Sequence, residues 1–237
     1  IMEKIFGKLN ESQASAVRQT EGPVLILAGA GSGKTTTIIS RLAYLIEEVG
    51  IPASNTLTLT FTNKAAKEMK ERSLSMIENV AYPPLLCTFH KFGLLFLKFN
   101  IHLLGRQNNF VVIDTDDKKR ITKKINAELP TPLIASEISR YKNSLMTPDD
   151  AYSQAELFNY RQIAEIYAKY EEYLNENNLV DFDDLIALTY KLLNEHPALA
   201  EATSKKYQYI MIDEYQDTNE LQLQLIQKLC STHNNLC

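Results

Sequence analysis

The sequence is short of cysteine, of long apolar runs and of excess positive charge, and each shortage removes a class of protein. Its three cysteines, Cys87, Cys230 and Cys237, are odd in number and lack the paired spacing of a zinc site. That favours reduced thiols in a cytosolic protein over a disulfide framework or a metal-ligating cysteine set. No apolar run approaches the ~20 residues needed to span a bilayer, and the first residues lack a charged-then-apolar secretory pattern. The expectation is a soluble, cytoplasmic protein with no membrane partner. A formal net charge of -4 at pH 7 supplies no global basic field, so any contact with nucleic acid must come from local patches. Internal repeats and low-complexity tracts are also missing.

What is present is enough for a packed core: 237 residues, 45% of them hydrophobic, fit one large domain or one domain carrying an insertion. One unit recurs along the chain, an apolar run followed by a polar cluster and then a helical pattern. VLIL leads into AGAGSGKT, TLTLTF into TNKAAKEMKER, LLC into TFHKFGLLFLK, and YIMI into DEYQDTNELQLQLIQKL. Strands alternating with helices imply an α/β fold with a parallel sheet, and ligands of such sheets collect beyond the carboxyl ends of the strands. All four polar clusters would lie there.

The first cluster fits GxxxxGK[S/T] except that Ala28 replaces the opening glycine. Gly29, Gly31 and Gly33 allow left-handed backbone and close approach, so successive N–H groups can turn toward phosphate oxygens at a helix start. A methyl group at the rim need not block that. Lys34 would neutralise the β and γ phosphates of ATP, and the Thr35 hydroxyl would ligate magnesium. The nucleotide stretch is therefore Ala28, Gly29, Ala30, Gly31, Ser32, Gly33, Lys34, Thr35 and Thr36. In the last cluster Asp213 would hold Mg2+, through water, and Glu214 would orient and deprotonate the attacking water. The same two carboxylates also suit the start of the following helix.

Lys34 and Asp213 are separated by far more chain than a few strand-helix units need, which implies an insertion. The text changes near Phe110, and Leu157, Tyr160, Ile163 or Ala164, Tyr167, Tyr170 and Leu174 then recur at helical spacing, tracing a core-facing stripe. The expected division is 1–109, a mainly helical insertion at 110–179, and 180–237.

LNESQASAV, AGAGSGKTTT, TFTNKAAKEMKER, TFHKFG, VDFDDL and MIDEYQDTNELQ together resemble, in order, the motifs of UvrD/Rep/PcrA-type helicases of superfamily 1. The resemblance covers nearly the whole chain. It implies the first RecA-like P-loop NTPase domain with its helical insertion, and an ATP-dependent DNA helicase that moves on single-stranded DNA, 3′ to 5′ in this family, and opens ss/ds junctions. By it, Gln13 would read the adenine edge, Gln216 would sit beside the γ-phosphate, and Phe61, Asn63, Lys64, Thr88, His90 and Phe182 would face DNA, with Phe182 in a base pocket. An aromatic ring at a strand end is suited to stacking bases without regard to sequence, and Asn63, Thr88 and His90 can hydrogen-bond backbone or base.

Other readings of the same residues stand beside these. Phe61 continues the alternation Leu57, Leu59, Phe61 as a core side chain would, and His90 serves equally as a helix-start hydrogen bonder. Asp181, Asp183 and Asp184 read as a capping sequence with no second metal. KKRITKK, Lys118 to Lys124, reads as a solvated helix face near Asp114, Asp116 and Asp117 rather than a duplex contact. A helicase subunit of a recombination helicase-nuclease shares much of this motif set, and a P-loop ATPase acting on something other than DNA would use only its nucleotide half. The text stops at NNLC, before the family's next motif, so the fragment is expected to fold but to show negligible hydrolysis or unwinding without a second RecA-like domain and its arginines. Oligomeric state is not legible.

Overall fold

The computed structural model describes residues 2–26, 33–77 and 82–237. The chain forms two compact units, one from residues 1–92, 196–218 and 226–237, the other from 93–195 and 219–225. Compared with the insertion read from the text at 110–179, the second unit begins earlier, runs later and takes in the start of the last helix.

In chain order the helices are α1 (Met2–Phe6), α2 (Glu11–Arg18), α3 (Lys34–Tyr44), α4 (Asn63–Leu74), α5 (Phe89–Asn100), α6 (Thr115–Ile125), α7 (Thr131–Asn143), α8 (Pro148–Gln154), α9 (Phe158–Glu176), α10 (Asp184–Glu195), α11 (Pro197–Lys206) and α12 (Glu220–Leu229). The strands are β1 (Thr56–Thr60), β2 (Leu85–Thr88), β3 (Val111–Val112), β4 (Leu179–Val180) and β5 (Tyr209–Ile212).

The first unit is built on a parallel sheet in the order β2-β1-β5. Every residue of β1 and of β5 is buried, as expected of parallel strands covered on both faces. Ile38, Ile39, Leu42, Met69, Leu86 and Met211 belong to its core, where each large aliphatic side chain contributes about 1.5–3 kcal/mol by leaving water. Three of the four expected strands are present. The run at VLIL is not a strand over Val24, Leu25 and Ile26, and Leu27 lies outside the described residues. Among the described residues one ladder bond is made there: Val24 N donates to Leu236 O at 2.9 Å. Leu236 in turn forms a parallel bridge with Ile210 of β5, and the segment 235–237 runs along β5 through Ile210 N to Asn235 O at 3.0 Å and Cys237 N to Ile210 O at 2.8 Å.

The second unit is mainly helical, with β3 and β4 forming a short parallel pair. Ile163, Ala164, Tyr167, Tyr170 and Leu174 of α9 are buried against Ile134, Ile138 and Tyr141 of α7, and Tyr141 stacks on Tyr167 with ring centroids 5.3 Å apart. The stripe read from the sequence is thus correct except at its start: Leu157 is the N-cap of α9 and is exposed. A residue at that position still lies outside the helical repeat, so its side chain need not follow the buried face. Gly93 is required by close packing, because a Cβ there would stand 2.0 Å from the carbonyl oxygen of Leu185 at the start of α10.

Candidate functional site

The parallel register of the first unit sets its polar residues along one edge. Thr60 lies opposite Thr88, and Leu59 opposite Ile212, so the residues following β2, β1 and β5 emerge side by side. That edge carries Thr88 at the end of β2 and His90 after it, Phe61, Asn63 and Lys64 after β1, and Asp213 and Glu214 after β5.

Asp213 is buried and anchored by its backbone, whose N–H donates to Leu59 O at 3.1 Å. Its Oδ1 makes no hydrogen bond among the described residues. Burial, helped by the adjacent Glu214 charge and opposed by Lys34, holds the Asp213 carboxyl above the usual carboxylate range. A buried, desolvated carboxyl with one oxygen lacking a hydrogen bond among the described residues is suited to a cation. Glu214 adopts a left-handed backbone, φ 56° and ψ 45°, a conformation costing about 1–2 kcal/mol for a residue with a side chain. Its Oε2 pairs with Lys34 Nζ at 3.1 Å and accepts from Gln216 Nε2.

Lys34 opens α3, whose N-cap is Gly33 at φ 83°, without a side-chain cap. The N–H groups of that first turn and the helix dipole favour an anion there. Thr35, half-buried in the same turn, remains the magnesium-ligand candidate, whereas the hydroxyl of Thr36 accepts from Arg72 of α4 at 2.6 Å. Ala28, Gly29, Ala30, Gly31 and Ser32 lie outside the described residues. Gln13 is brought to the cradle: a Cβ on Gly33 would stand 3.0 Å from Gln13 Nε2. The Oε1 of Gln13 is engaged in the capping box of α2, accepting from Asn10 N at 3.0 Å. A cavity of about 600 Å³ adjoins these groups, with Lys34, Glu214 and Gln216 on its polar wall and Ile26, Ile38 and Ile212 on its apolar one.

The residues present fit a magnesium nucleotide on two observations, the Asp213 Oδ1 without a hydrogen bond among the described residues and the glycine-led start of α3, which has no side-chain cap among them. Sequence reasoning missed Arg41 here. It is buried in α3 and donates to Ala16 O at 3.1 Å, to Thr20 O at 3.4 Å and to Gln19 O, binding the C-terminal end of the Gln13 helix to the Lys34 helix. Its signal was an arginine on the apolar face of α3.

At the ends of β1 and β2, Phe61 is half-buried and lies against Phe89 with centroids 5.3 Å apart and planes tilted by 39°. The alternation expected along β1 is not observed, since the whole strand is buried, and Phe61 stands just past it. Asn63 and Lys64 are exposed in the first turn of α4, behind the N-cap Thr62. Thr88 is buried and its hydroxyl accepts from Lys91 N at 3.0 Å, so it caps α5 while His90 is half-buried in that helix.

Phe182 belongs to the second unit and is exposed on the loop between β4 and α10. The loop is capped as the acidic pattern suggested: Asp181 N donates to Asp184 Oδ2 at 3.1 Å and Asp184 N to Asp181 Oδ1 at 2.8 Å. It is also charged in a way the sequence did not disclose. The buried ammonium of Lys142 lies 2.8 Å from Asp181, 2.9 Å from Asp184 and 2.6 Å from Glu171, and Tyr170 OH donates to Asp181 at 2.8 Å. Burial, reinforced by Asp181 and resisted by Lys142, pushes the Asp184 carboxyl up to about 8; burial works against Asp181 too, but Lys142 holds it below the usual range. Lys118 corrects the reading of its basic stretch. It is buried, 3.7 Å from Asp183 and 6.0 Å from the Tyr170 ring centre, while Lys119, Arg120, Lys123 and Lys124 are exposed.

Among the described residues no helix is long and apolar enough to cross a membrane. Residues 9–237 match the family described as UvrD/REP helicase N-terminal domain. Among curated proteins the chain is similar to ATP-dependent DNA helicase PcrA of Staphylococcus aureus (strain Mu50 / ATCC 700699), 39% identical over 243 residues, and the alignment takes in 100% of this chain and 33% of the relative. PcrA of Staphylococcus epidermidis (strain ATCC 12228 / FDA PCI 1200) gives the same identity and coverage. The chain thus spans about a third of the length of the relatives it matches. With the phosphate-loop lysine and the acid pair meeting at the end of a parallel sheet, and the match running from residue 9 to 237, the chain belongs to the UvrD/REP helicase N-terminal domain family.

Proposed function

We propose that this chain is the first RecA-like domain and helical insertion of an ATP-driven DNA helicase of the UvrD/Rep/PcrA type, working in the cytoplasm in replication and repair. The observation that carries the reading is the convergence of Lys34, Asp213 and Glu214: a lysine ion-paired at 3.1 Å to one acid, beside a second acid whose Oδ1 has no partner among the described residues. Bound magnesium would supply Lewis-acid stabilisation of charge on the phosphates, held by Thr35 and Asp213. Lys34 would exchange its contact with Glu214 for the β and γ phosphates, and the released Glu214 would orient the attacking water and take its proton. Gln216, hydrogen-bonded to Glu214, would respond when the γ-phosphate leaves. Gln13 would meet the adenine through the amide that lies beside Gly33.

On the same sheet edge Phe61, backed by Phe89, offers a face for an unpaired base, worth about 1–3 kcal/mol and indifferent to sequence. Asn63, Lys64, Thr88 and His90 would hold the strand's backbone or bases, with Phe182 as a further stacking residue from the second unit. A second RecA-like domain in the remaining polypeptide would close on the nucleotide and drive movement along single-stranded DNA, 3′ to 5′, toward ss/ds junctions. The test is nucleotide-dependent binding of labelled single-stranded DNA by the full-length gene product and its Glu214→Gln variant, at several salt concentrations. Affinity should change with nucleotide, and Glu214→Gln should retain binding while hydrolysis is lost. Equal DNA affinity with and without nucleotide would favour a P-loop ATPase that does not act on DNA.

A further inference from the structure

Asn143, the last residue of α7, is the centre of a chain of side-chain hydrogen bonds. Its Nδ2 donates to Asp183 Oδ1 at 2.9 Å and to Ser139 O at 2.9 Å, and its Oδ1 accepts from Asn219 Nδ2 at 2.9 Å. An ionised Asp183 can only accept, so it fixes which way the Asn143 amide points. At one end of the chain Asp183 adjoins Phe182, in the loop whose flanking Asp181 and Asp184 are both bound by the buried Lys142. Lys142 and Asn143 are neighbours on α7, so the end of that helix and the Phe182 loop form one stiff block.

At the other end Asn219 caps α12, its Oδ1 accepting from Gln222 N at 2.8 Å and its N–H donating to Gln222 Oε1 at 2.9 Å. Asn219 directly follows the segment that starts with Asp213 and Glu214. That segment is held in an uncommon arrangement: Glu214 is left-handed, paired to Lys34, and followed by one tight turn over Tyr215–Asp217. A phosphate on Lys34 competes with the Glu214 carboxylate by like-charge repulsion, and a left-handed residue freed from such a contact has commoner conformations open to it. Its relaxation would turn the chain that enters Asn219.

We propose that Asn143 is a positioning residue that ties Asn219, at the end of the acidic segment, to the Phe182 loop, so that exchange of the Lys34–Glu214 contact for nucleotide is felt at Phe182. The inference rests on the nucleotide-site reading of Lys34 and Glu214. Coupling of this kind needs a two-state element biased from both sides, and here that element is the segment from Glu214 to Asn219.

The sequence contains no tryptophan, so Phe182→Trp in the 237-residue chain supplies a single emission reporter. It is titrated with Mg-ADP and with a magnesium complex of a non-hydrolysable ATP analogue, while calorimetry reports nucleotide affinity separately. Reporter emission should change on saturation. Adding Asn143→Ala should reduce that change by about threefold or more while nucleotide affinity stays within about twofold, as loss of coupling without loss of binding requires. Asn219→Asp keeps the capping oxygen and removes the donor to Asn143, so it should give the same reduction, and it carries the test if Asn143→Ala does not fold. An undiminished response in the variants, or none in the reporter chain despite nucleotide binding, overturns the proposal. If the 237-residue chain binds no nucleotide, the same variants are titrated in the full-length gene product, and absence of binding there defeats the site reading itself, and the coupling with it.

Discussion

Two groups of carboxylates in this molecule use the same chemistry to opposite ends. In the second unit Asp181, Asp183 and Asp184 are met by Lys142, Lys118, Asn143 and Tyr170, and the loop that carries them is locked. In the first unit Asp213 and Glu214 have only Lys34 as a cationic counterpart, on Glu214, and Asp213 Oδ1 is left without a hydrogen bond among the described residues. A buried charge that the fold has neutralised is part of the architecture, whereas one it has left open marks where a ligand enters. Acid clusters in a sequence are therefore told apart by which partners the tertiary structure brings, not by their spacing.

The largest effect should come from removing the lysine of the completed cluster. Lys142→Met leaves buried acids without a counter-ion, and denaturant melts should show a loss of about 3–5 kcal/mol. Survival of wild-type stability would mean that Asp181 is solvated without Lys142 and the contrast with Asp213 fails.

Next is the pH dependence of the same cluster. The folded-state value of Asp184, about 8, is raised from the ordinary 3.8, so the unfolded chain gives up this proton first. Its contribution to stability is present below about pH 4 and is lost as pH rises to about 8. Asp184→Asn abolishes that titration. Relative to wild type the variant should gain stability steadily over that window, measured as melting temperature against pH, and a pH-independent difference would place the raised acid elsewhere.

The smallest effect on stability belongs to the open site. Asp213 is also raised by burial, so Asp213→Asn should leave the ligand-free chain unchanged or more stable by at most about 1 kcal/mol. Magnesium-dependent nucleotide affinity should nevertheless fall on the order of tenfold. A clear destabilisation without ligand would show that Asp213 is structural, like its counterparts around Lys142.

Local pattern carried much of this arrangement. The apolar runs at 56–60, 85–88 and 209–212 are strands because each is short, flanked by polar turns and paired with a like neighbour, and their parallel register sets the residues that follow them, Asp213 and Glu214 included, along one edge. VLIL has the same composition, yet over Val24 to Ile26 it makes too little of a ladder to be a strand, since strand formation depends on the partner and not on the run. Lys118 reads as a solvated base within its basic stretch, and Lys142 carries no local sign of burial. Their burial depends on acids from a distant part of the chain, a pairing no local period encodes. Leu157 fits the apolar repeat of α9 but lies one residue before it, where the repeat has no hold.

Leu236 touches Ile210 on one side and Val24 on the other. The stretch leading to the phosphate loop thus finds its neighbour only after most of these residues have followed it from the ribosome. Such long-range closure slows folding and keeps an early apolar segment waiting for its partner. The first unit would then complete its sheet late in synthesis.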